Sequence, residues 1–302
     1  MLLPAHGLVS VEKSTVVWYN TKNAQRQKFN IVRKEHQMKT ILITGAYGGM
    51  GYAAAKALQS RGFRVFALDR KVKVGEAEEN IIPVEADITS EESVNAALET
   101  VRSYTAHLYA IVHFAGIYML DSLVEMDSAD FRRIVDVNLY GAFLVNRTFR
   151  PLLGEGSRIL ITTSELAPLD PLPFTGIYAV TKGALDKYAY SLRMELQLSG
   201  ISVSVLRAGA VDTGMLGVST AALDRFCDKT QWYTCNADRF RRIVNRVEAR
   251  CVSPETIAGK VVNILGKRNP AFAYSINRNP LLLLLNVLPK RMQLWAIRMV
   301  LK

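Results

Sequence analysis

KTILITGAYGGMG, residues 39–51, runs from an apolar stretch into a glycine-rich turn and then into a helical pattern. The stretch at 40–44 is apolar nearly throughout, which suits a strand of a parallel sheet covered on both faces. Gly45, Gly48, Gly49 and Gly51 lack the Cβ atoms that would hold the backbone away from a pyrophosphate. The helix that follows offers such an anion its N-terminal N–H groups and positive dipole. A glycine turn alone also suits any tight connection. Here, however, Asp69 stands 18 residues after Gly51, at the end of the second strand-like run, 64–69. Strand, glycine turn, helix, strand and acidic residue in that order are the setting of a dinucleotide fingerprint, with Asp69 accepting hydrogen bonds from the adenosine ribose hydroxyls.

Working outward, strand-like runs lie at 40–44, 64–69, 81–85, 109–113, 158–163, 201–207 and 271–276. Helical patterns lie at 49–61, 90–104, 128–150, 178–199 and 254–265. Alternating strands and helices with right-handed crossovers predict an α/β class, a Rossmann-type doubly wound parallel sheet in a single domain spanning 39–302. Residues 1–38 form an N-terminal extension whose Val16, Val17, Trp18, Tyr19, Phe29, Ile31 and Val32 are too apolar for a disordered tail, so it is expected to pack on the body or on a partner subunit. The connection at 214–250 is long for its place and reads as a helical flap over a ligand. The ending, 278–302, is a basic amphipathic segment. Its first reading is a cover for the substrate site or part of an oligomer interface, with attachment to a membrane surface as the alternative.

The chain has 302 residues, of which 49% are hydrophobic and 22% charged, which is ordinary globular usage. The net charge of +11 arises from scattered rather than blocked basic residues, so no nucleic-acid partner is expected. Cys227, Cys235 and Cys251 are too few and too irregularly spaced for a disulfide framework or zinc site, and His6, His36, His107 and His113 have no ligand spacing. No metal is expected. The N-terminus, broken by Pro4 and His6, lacks the pattern of a secretory signal, and no stretch is long and apolar enough to span a bilayer. The expectation is a cytoplasmic protein.

The acidic charge of Asp69 would repel a 2′-phosphate, and the glycine turn holds no basic residue, so NAD(H) is expected over NADP(H). Arg70 is the contrary hint, since its guanidinium can stack on adenine or reach a phosphate. Farther along, Tyr178 and Lys182 are spaced i, i+4 on a helical pattern, so their side chains share a face. A free phenol has a pKa of about 10. An ammonium one turn away, with a positive nicotinamide beside it, is expected to bring that value toward working pH.

The TGxxxGxG spacing together with Tyr178-Ala-Val-Thr-Lys182 resembles the short-chain dehydrogenase/reductase family, over about residues 39–265. The resemblance implies a catalytic set of Asn138, Ser164, Tyr178 and Lys182. Tyr178 would be the proton donor, Ser164 would steady the substrate oxygen, and Lys182 would hold the nicotinamide ribose. Asn138 would help hold a water in the relay to Lys182. It also implies cofactor contacts from Gly45, Tyr47, Gly49, Met50, Gly51, Asp69, Arg70, Asp87, Ile88, Phe114, Ala115, Gly116, Ala208, Gly209, Val211 and Thr213. His113-Phe114 stands where the family usually has two asparagines, so a hydrogen bond supporting the central sheet is expected to be absent or replaced.

For the substrate, Ser164, Leu166, Tyr178 and Met215 are the expected contacts. The flap (Met215, Leu216, Val218, Ala221, Leu223, Phe226, Trp232, Tyr233) and the loop with Leu166, Leu169, Leu172 and Phe174 would give an apolar lining. Such a lining suits a large hydrophobic ligand, although the same residues suit ordinary core. Over its whole length the chain is most similar to bacterial NADH-dependent 20β-hydroxysteroid dehydrogenases, which implies reduction of the C20 ketone of cortisol-like steroids. A retinol-type, a 3-, 11- or 17-position hydroxysteroid, or a 3-oxoacyl-type enzyme is the alternative, and a non-catalytic NAD-binding sensor is the reading from another class. Relatives in the family are commonly dimers or tetramers, so a homodimer or homotetramer is expected.

Overall fold

Among the described residues seven short runs rich in β-branched and aliphatic residues become parallel strands, the inner ones burying both faces and the two edge strands only part of theirs. A computed structural model describes residues 38–72, 78–248 and 251–302, with backbone alone at 214–220 and 245–248. The expected packing of the N-terminal extension falls, but for Met38, outside the described residues. The strands are β1 (Thr40–Thr44), β2 (Arg64–Asp69), β3 (Ile81–Glu85), β4 (Ala110–His113), β5 (Arg158–Thr162), β6 (Ser202–Ala208) and β7 (Ala273–Ile276). They lie in the order β3-β2-β1-β4-β5-β6-β7. The order reverses between β1 and β4, and a doubly wound sheet binds its ligand in the crevice beyond the carboxyl ends of the strands at such a point.

The helices, in chain order, are α1 (Gly49–Gln59), α2 (Glu91–Arg102), α3 (Ser128–Val135), α4 (Gly141–Phe149), α5 (Gly176–Leu196), α6 (Gly214–Lys229), α7 (Thr234–Glu248), α8 (Pro254–Gly266), α9 (Pro280–Val287) and α10 (Lys290–Leu301). Strand side chains alternate between faces, so each strand feeds two cores. Ile41 and Ile43 of β1 meet Ala54, Ala55 and Leu58 of α1 and Ile257, Val261 and Ile264 of α8. Leu42 faces the other way, toward Val94 and Val101 of α2, Leu144 and Phe149 of α4 and Leu185 of α5. Complete burial of a side chain such as Leu58 contributes about 1.5–3 kcal/mol.

The expected helix at 128–150 forms with one irregular turn inside it. Between α3 and α4 the chain makes a π-helical turn at Asp136–Tyr140, and Asn138 sits at its centre. Such bulges recur where a tertiary contact pulls one residue out of the regular helical pattern. The connection at 214–250 contains α6 and α7, and Leu223, Phe226 and Phe240 from these helices pack with Leu120 and Phe174 into a separate small core.

Candidate active site

Two adjoining cavities open where the strands end. The first is a crevice of about 750 Å³ lined by the glycine turn, Asp69, Arg70, Asp87, Ile88 and residues 114–116. The second is a cavity of about 220 Å³ lined by Ser164, Leu166, Tyr178, Lys182, Ala208, Gly209 and Val211. Met50, Phe114, Gly116 and Thr213 line both, so the two communicate. The side chain of Met215 lies outside the described residues, and Asn138 is buried behind the wall rather than on it.

The glycine turn is built by close approach. Gly45 has φ +67°, and a Cβ on it would lie 2.6 Å from the Ala115 nitrogen. A Cβ on Gly51 would lie 2.1 Å from the Gly45 oxygen, so neither position accepts a side chain. Among the described residues no side chain caps α1, and its first turn carries no acidic residue, which leaves its positive end open to an anion. Asp69 joins the turn to β2. Tyr47 N–H donates to Asp69 Oδ2 at 2.9 Å, and Arg70 N–H donates to Oδ1 at 2.8 Å. Lys71 N–H also reaches Oδ1, at 3.5 Å, so Oδ2 keeps the further lone pair for a hydroxyl. Thr89 N–H and hydroxyl both donate to Asp87 Oδ1, which holds that carboxyl below its ordinary range.

Tyr178 and Lys182 lie on α5, one turn apart, as their spacing required. Tyr178 hydrogen-bonds with Ser164, whose Oγ also accepts from Leu166 N–H at 3.2 Å. The ring of Tyr118 meets that of Tyr178 edge-on at 4.7 Å. Lys182 Nζ donates to the Thr162 carbonyl at 3.2 Å and lies 5.8 Å from the Tyr178 ring centroid. Burial governs both groups: it pushes the phenol up to about 12, against the hydrogen bond with Ser164, and pulls the Lys182 ammonium down to about 8. In the chain by itself, desolvation therefore outweighs the ammonium that was expected to draw the phenol toward neutrality.

Asn138 spends both ends of its amide on structure. Ile117 N–H donates to Oδ1 at 2.8 Å, and Nδ2 donates to the Ile117 carbonyl at 2.9 Å and to Thr181 Oγ1 at 3.2 Å. This clamp fixes the chain leaving β4 against α5 and accounts for the π-helical turn. His113 fills the expected gap in the sheet support. Its Nδ1 lies 3.4 Å from Thr44 Oγ1 and its Nε2 lies 2.9 Å from Asn146 Oδ1, while Asn146 Nδ2 donates to the Tyr188 hydroxyl at 3.2 Å. Burial lowers its pKa to about 4, so the ring is neutral, with Nε2–H donating to Asn146.

Sequence reasoning missed several residues. Phe240, Ile243 and Val244 of α7 line the cavity, Phe240 and Val244 from the edge of the small core, whereas Leu223 and Phe226 lie in that core without reaching the cavity and Trp232 is 70% exposed. Thr162 Oγ1 is buried beside Lys182 and, among the described residues, has no hydrogen-bond partner. Glu165 is buried next to Ser164, and its Oε2 accepts from Asn279 N–H at 2.6 Å. Desolvation raises its pKa, against that hydrogen bond and the charge of Arg278. A polar run at a strand's end, Thr162-Thr163-Ser164-Glu165, was the available signal. Among the described residues no group of three or more His, Cys, Asp or Glu side chains could hold a metal ion.

These residues fit a dinucleotide. The crevice offers an uncapped helix start for phosphates and a carboxylate oxygen with a spare lone pair for ribose, and the adjoining cavity holds a buried ammonium and an unpaired hydroxyl among the described residues.

Comparison with known proteins agrees. A family model described as short chain dehydrogenase matches residues 39–224. The chain is 30% identical over 192 residues to the NADPH-dependent 1-acyldihydroxyacetone phosphate reductase of Schizosaccharomyces pombe, a match covering 61% of this chain and 65% of that one. It is 31% identical over 191 residues to estradiol 17-beta-dehydrogenase 2 of Mus musculus, covering 59% of this chain and 50% of that one. In both, the match spans less than two thirds of the relative. Among solved structures, a dehydrogenase/reductase from Sinorhizobium meliloti superposes with a TM-score of 0.62 at 26% identity, covering 79% of this chain and 93% of that one.

Proposed function

The chain belongs to the short-chain dehydrogenase family, and from that premise we propose that it reduces a ketone on a hydrophobic substrate with NADH, Tyr178 donating the proton. The observation that carries the proposal is that Tyr178, Ser164 and Lys182 line one cavity, which shares Met50, Phe114, Gly116 and Thr213 with the crevice, with Lys182 one helical turn from Tyr178.

When bound along the crevice, a reduced nicotinamide supplies the hydride that the carbonyl carbon receives. The protein's part is then proton transfer and charge stabilisation. A phenol pushed up to about 12 is protonated across neutral pH, the form that reduction requires. As the carbonyl oxygen gains charge, Tyr178 gives it the proton and Ser164 donates a hydrogen bond to it. Lys182, held by the Thr162 carbonyl, stabilises the phenolate left behind, and an ammonium lowered to about 8 can return a proton near neutral pH. Asn138 acts through position, keeping Gly116 and Ile117 against Lys182.

Asp69 favours NAD(H), because its charge faces the place a 2′-phosphate would take. Arg70 beside it and the name of the S. pombe relative favour NADP(H) as the second reading. The apolar lining from Leu166, Leu172, Phe240, Ile243 and Val244 suits a steroid-like ligand. Reaction at C20 rests on sequence resemblance alone, and the mouse relative's name brings position 17 forward as the alternative. A homodimer or homotetramer is part of the proposal, supported by Tyr140 and Phe143 of the π-turn and α4 and by Val180, Tyr190 and Met194 of α5, all exposed.

The test follows NADH absorbance against 3-, 11-, 17- and 20-oxosteroids, repeated with NADPH and with Tyr178→Phe. The expected result is turnover with NADH on a steroid ketone and a loss of about 10²–10⁴-fold in Tyr178→Phe with NADH binding kept. Full activity in Tyr178→Phe would sink the mechanism.

A further inference from the structure

We propose that the outer face of the C-terminal helices α9 and α10 docks on an anionic lipid bilayer. The face does not depend on the substrate reading above; it stands on three observations.

The first is composition. Residues 278–302 carry Arg278, Lys290, Arg291, Arg298 and Lys302 and no acidic residue. The second is placement. Most of the exposed residues at 290–302, namely Arg291, Leu294, Trp295, Arg298, Met299 and Lys302, follow the helical period on one stripe, with Lys290, Met292 and Val300 exposed off it. Basic and apolar side chains therefore interleave on a single face. On α9, Leu281, Leu284 and Val287 form a second outward row and are 64–82% exposed. Leu294 is 68% and Trp295 65% exposed side by side, and contiguous exposed apolar residues rimmed by polar ones mark interaction surfaces. The third is that the segment is held in place. Lys290 pairs with Asp170, Asn236 Nδ2 donates to the Leu301 carbonyl at 2.6 Å, and Glu165 accepts from Asn279 N–H at the start of α9. These ties hold the inner face on the body, so the outer stripe faces solvent.

The occupant follows from charge. Three cations on the stripe, Arg291, Arg298 and Lys302, interleaved with a tryptophan and aliphatic side chains, match an interface in which phosphate headgroups overlie acyl chains. A second copy of the same stripe would set cation against cation. The inner side of α9 supplies Leu282 to the wall of the substrate cavity. Docking would thus bring the cavity wall to the bilayer surface, where an apolar substrate concentrates.

The experiment is flotation of the full chain with vesicles of phosphatidylcholine alone and of phosphatidylcholine with 30% phosphatidylserine (a chosen composition, about that of an anionic leaflet). The variants are Trp295→Glu and the pair Arg291→Glu with Arg298→Glu, each checked for an unchanged melting temperature and for subunit number by light scattering. Expected is partition onto the anionic vesicles, weakened about fivefold or more for each reversed cation and falling with salt. Trp295→Glu should reduce it at constant salt. The proposal is overturned if the chain stays with the buffer fraction or floats equally well in all variants. It is also overturned if Trp295→Glu splits an oligomer, which would make the face a contact between copies.

Discussion

His113 offers a direct probe of how the centre of the sheet is held. It is 4% exposed, lies against Thr44 and Asn146, and has a pKa lowered from 6.5 to about 4 by burial. The unfolded chain takes up a proton near pH 6.5, whereas the folded chain refuses it until about pH 4. Across that window the unfolded state binds more protons, so stability falls as pH falls; above it the group contributes no slope. The difference corresponds to about 3 kcal/mol, lost between pH 6.5 and pH 4. Other groups titrate in the same range, so the measurement must be a difference. Urea unfolding of the natural chain and of His113→Asn at pH 7, 6, 5 and 4 gives it. The stability gap between the two should shift by about 3 kcal/mol in the variant's favour as pH falls. Parallel loss in both, or an imidazole proton titrating near pH 6.5 by NMR, would refute the reasoning.

Other outcomes follow from the same geometry. Gly51→Ala puts a methyl group 2.1 Å from the Gly45 oxygen, so the dinucleotide's dissociation constant should rise about tenfold or more; unchanged binding by titration calorimetry would show that the turn yields. Asp186 accepts from Arg207 Nε at 3.0 Å and Nη2 at 2.7 Å, and Asp186→Ala should cost about 3 kcal/mol in urea unfolding by leaving the guanidinium unpaired; a loss under about 1 kcal/mol contradicts this. Asp69→Ser should raise kcat/KM for NADPH relative to NADH about tenfold or more, because the repelling charge is gone while Arg70 and Lys71 remain; an unmoved ratio places specificity elsewhere.

Much of the fold could be read locally. Continuous apolar runs imply strands buried on both faces, and the glycine turn, Asp69 and the Tyr178–Lys182 spacing all depend on residues close in the chain. The π-helical turn within the helix at 128–150 was hidden, because Asn138 at its centre is bonded to Ile117, 21 residues earlier. The lining of the cavity was hidden for a related reason. Flap residues of α6 and α7 are equally apolar in the sequence, and only their tertiary packing decides that Phe226 lies wholly within the small core while Phe240 and Val244 of the same core also border the cavity.

The order of residues thus determined a dinucleotide crevice and a phenol–amine pair on one helical face, since both are set by neighbours within a turn or a strand-to-helix junction. Only the tertiary structure decided how those groups titrate, what replaces the usual amide beside β4, and which face of the C-terminal helices meets solvent. Those depend on burial and on contacts between distant segments. Desolvation is a property of the assembled surroundings, which no local pattern contains.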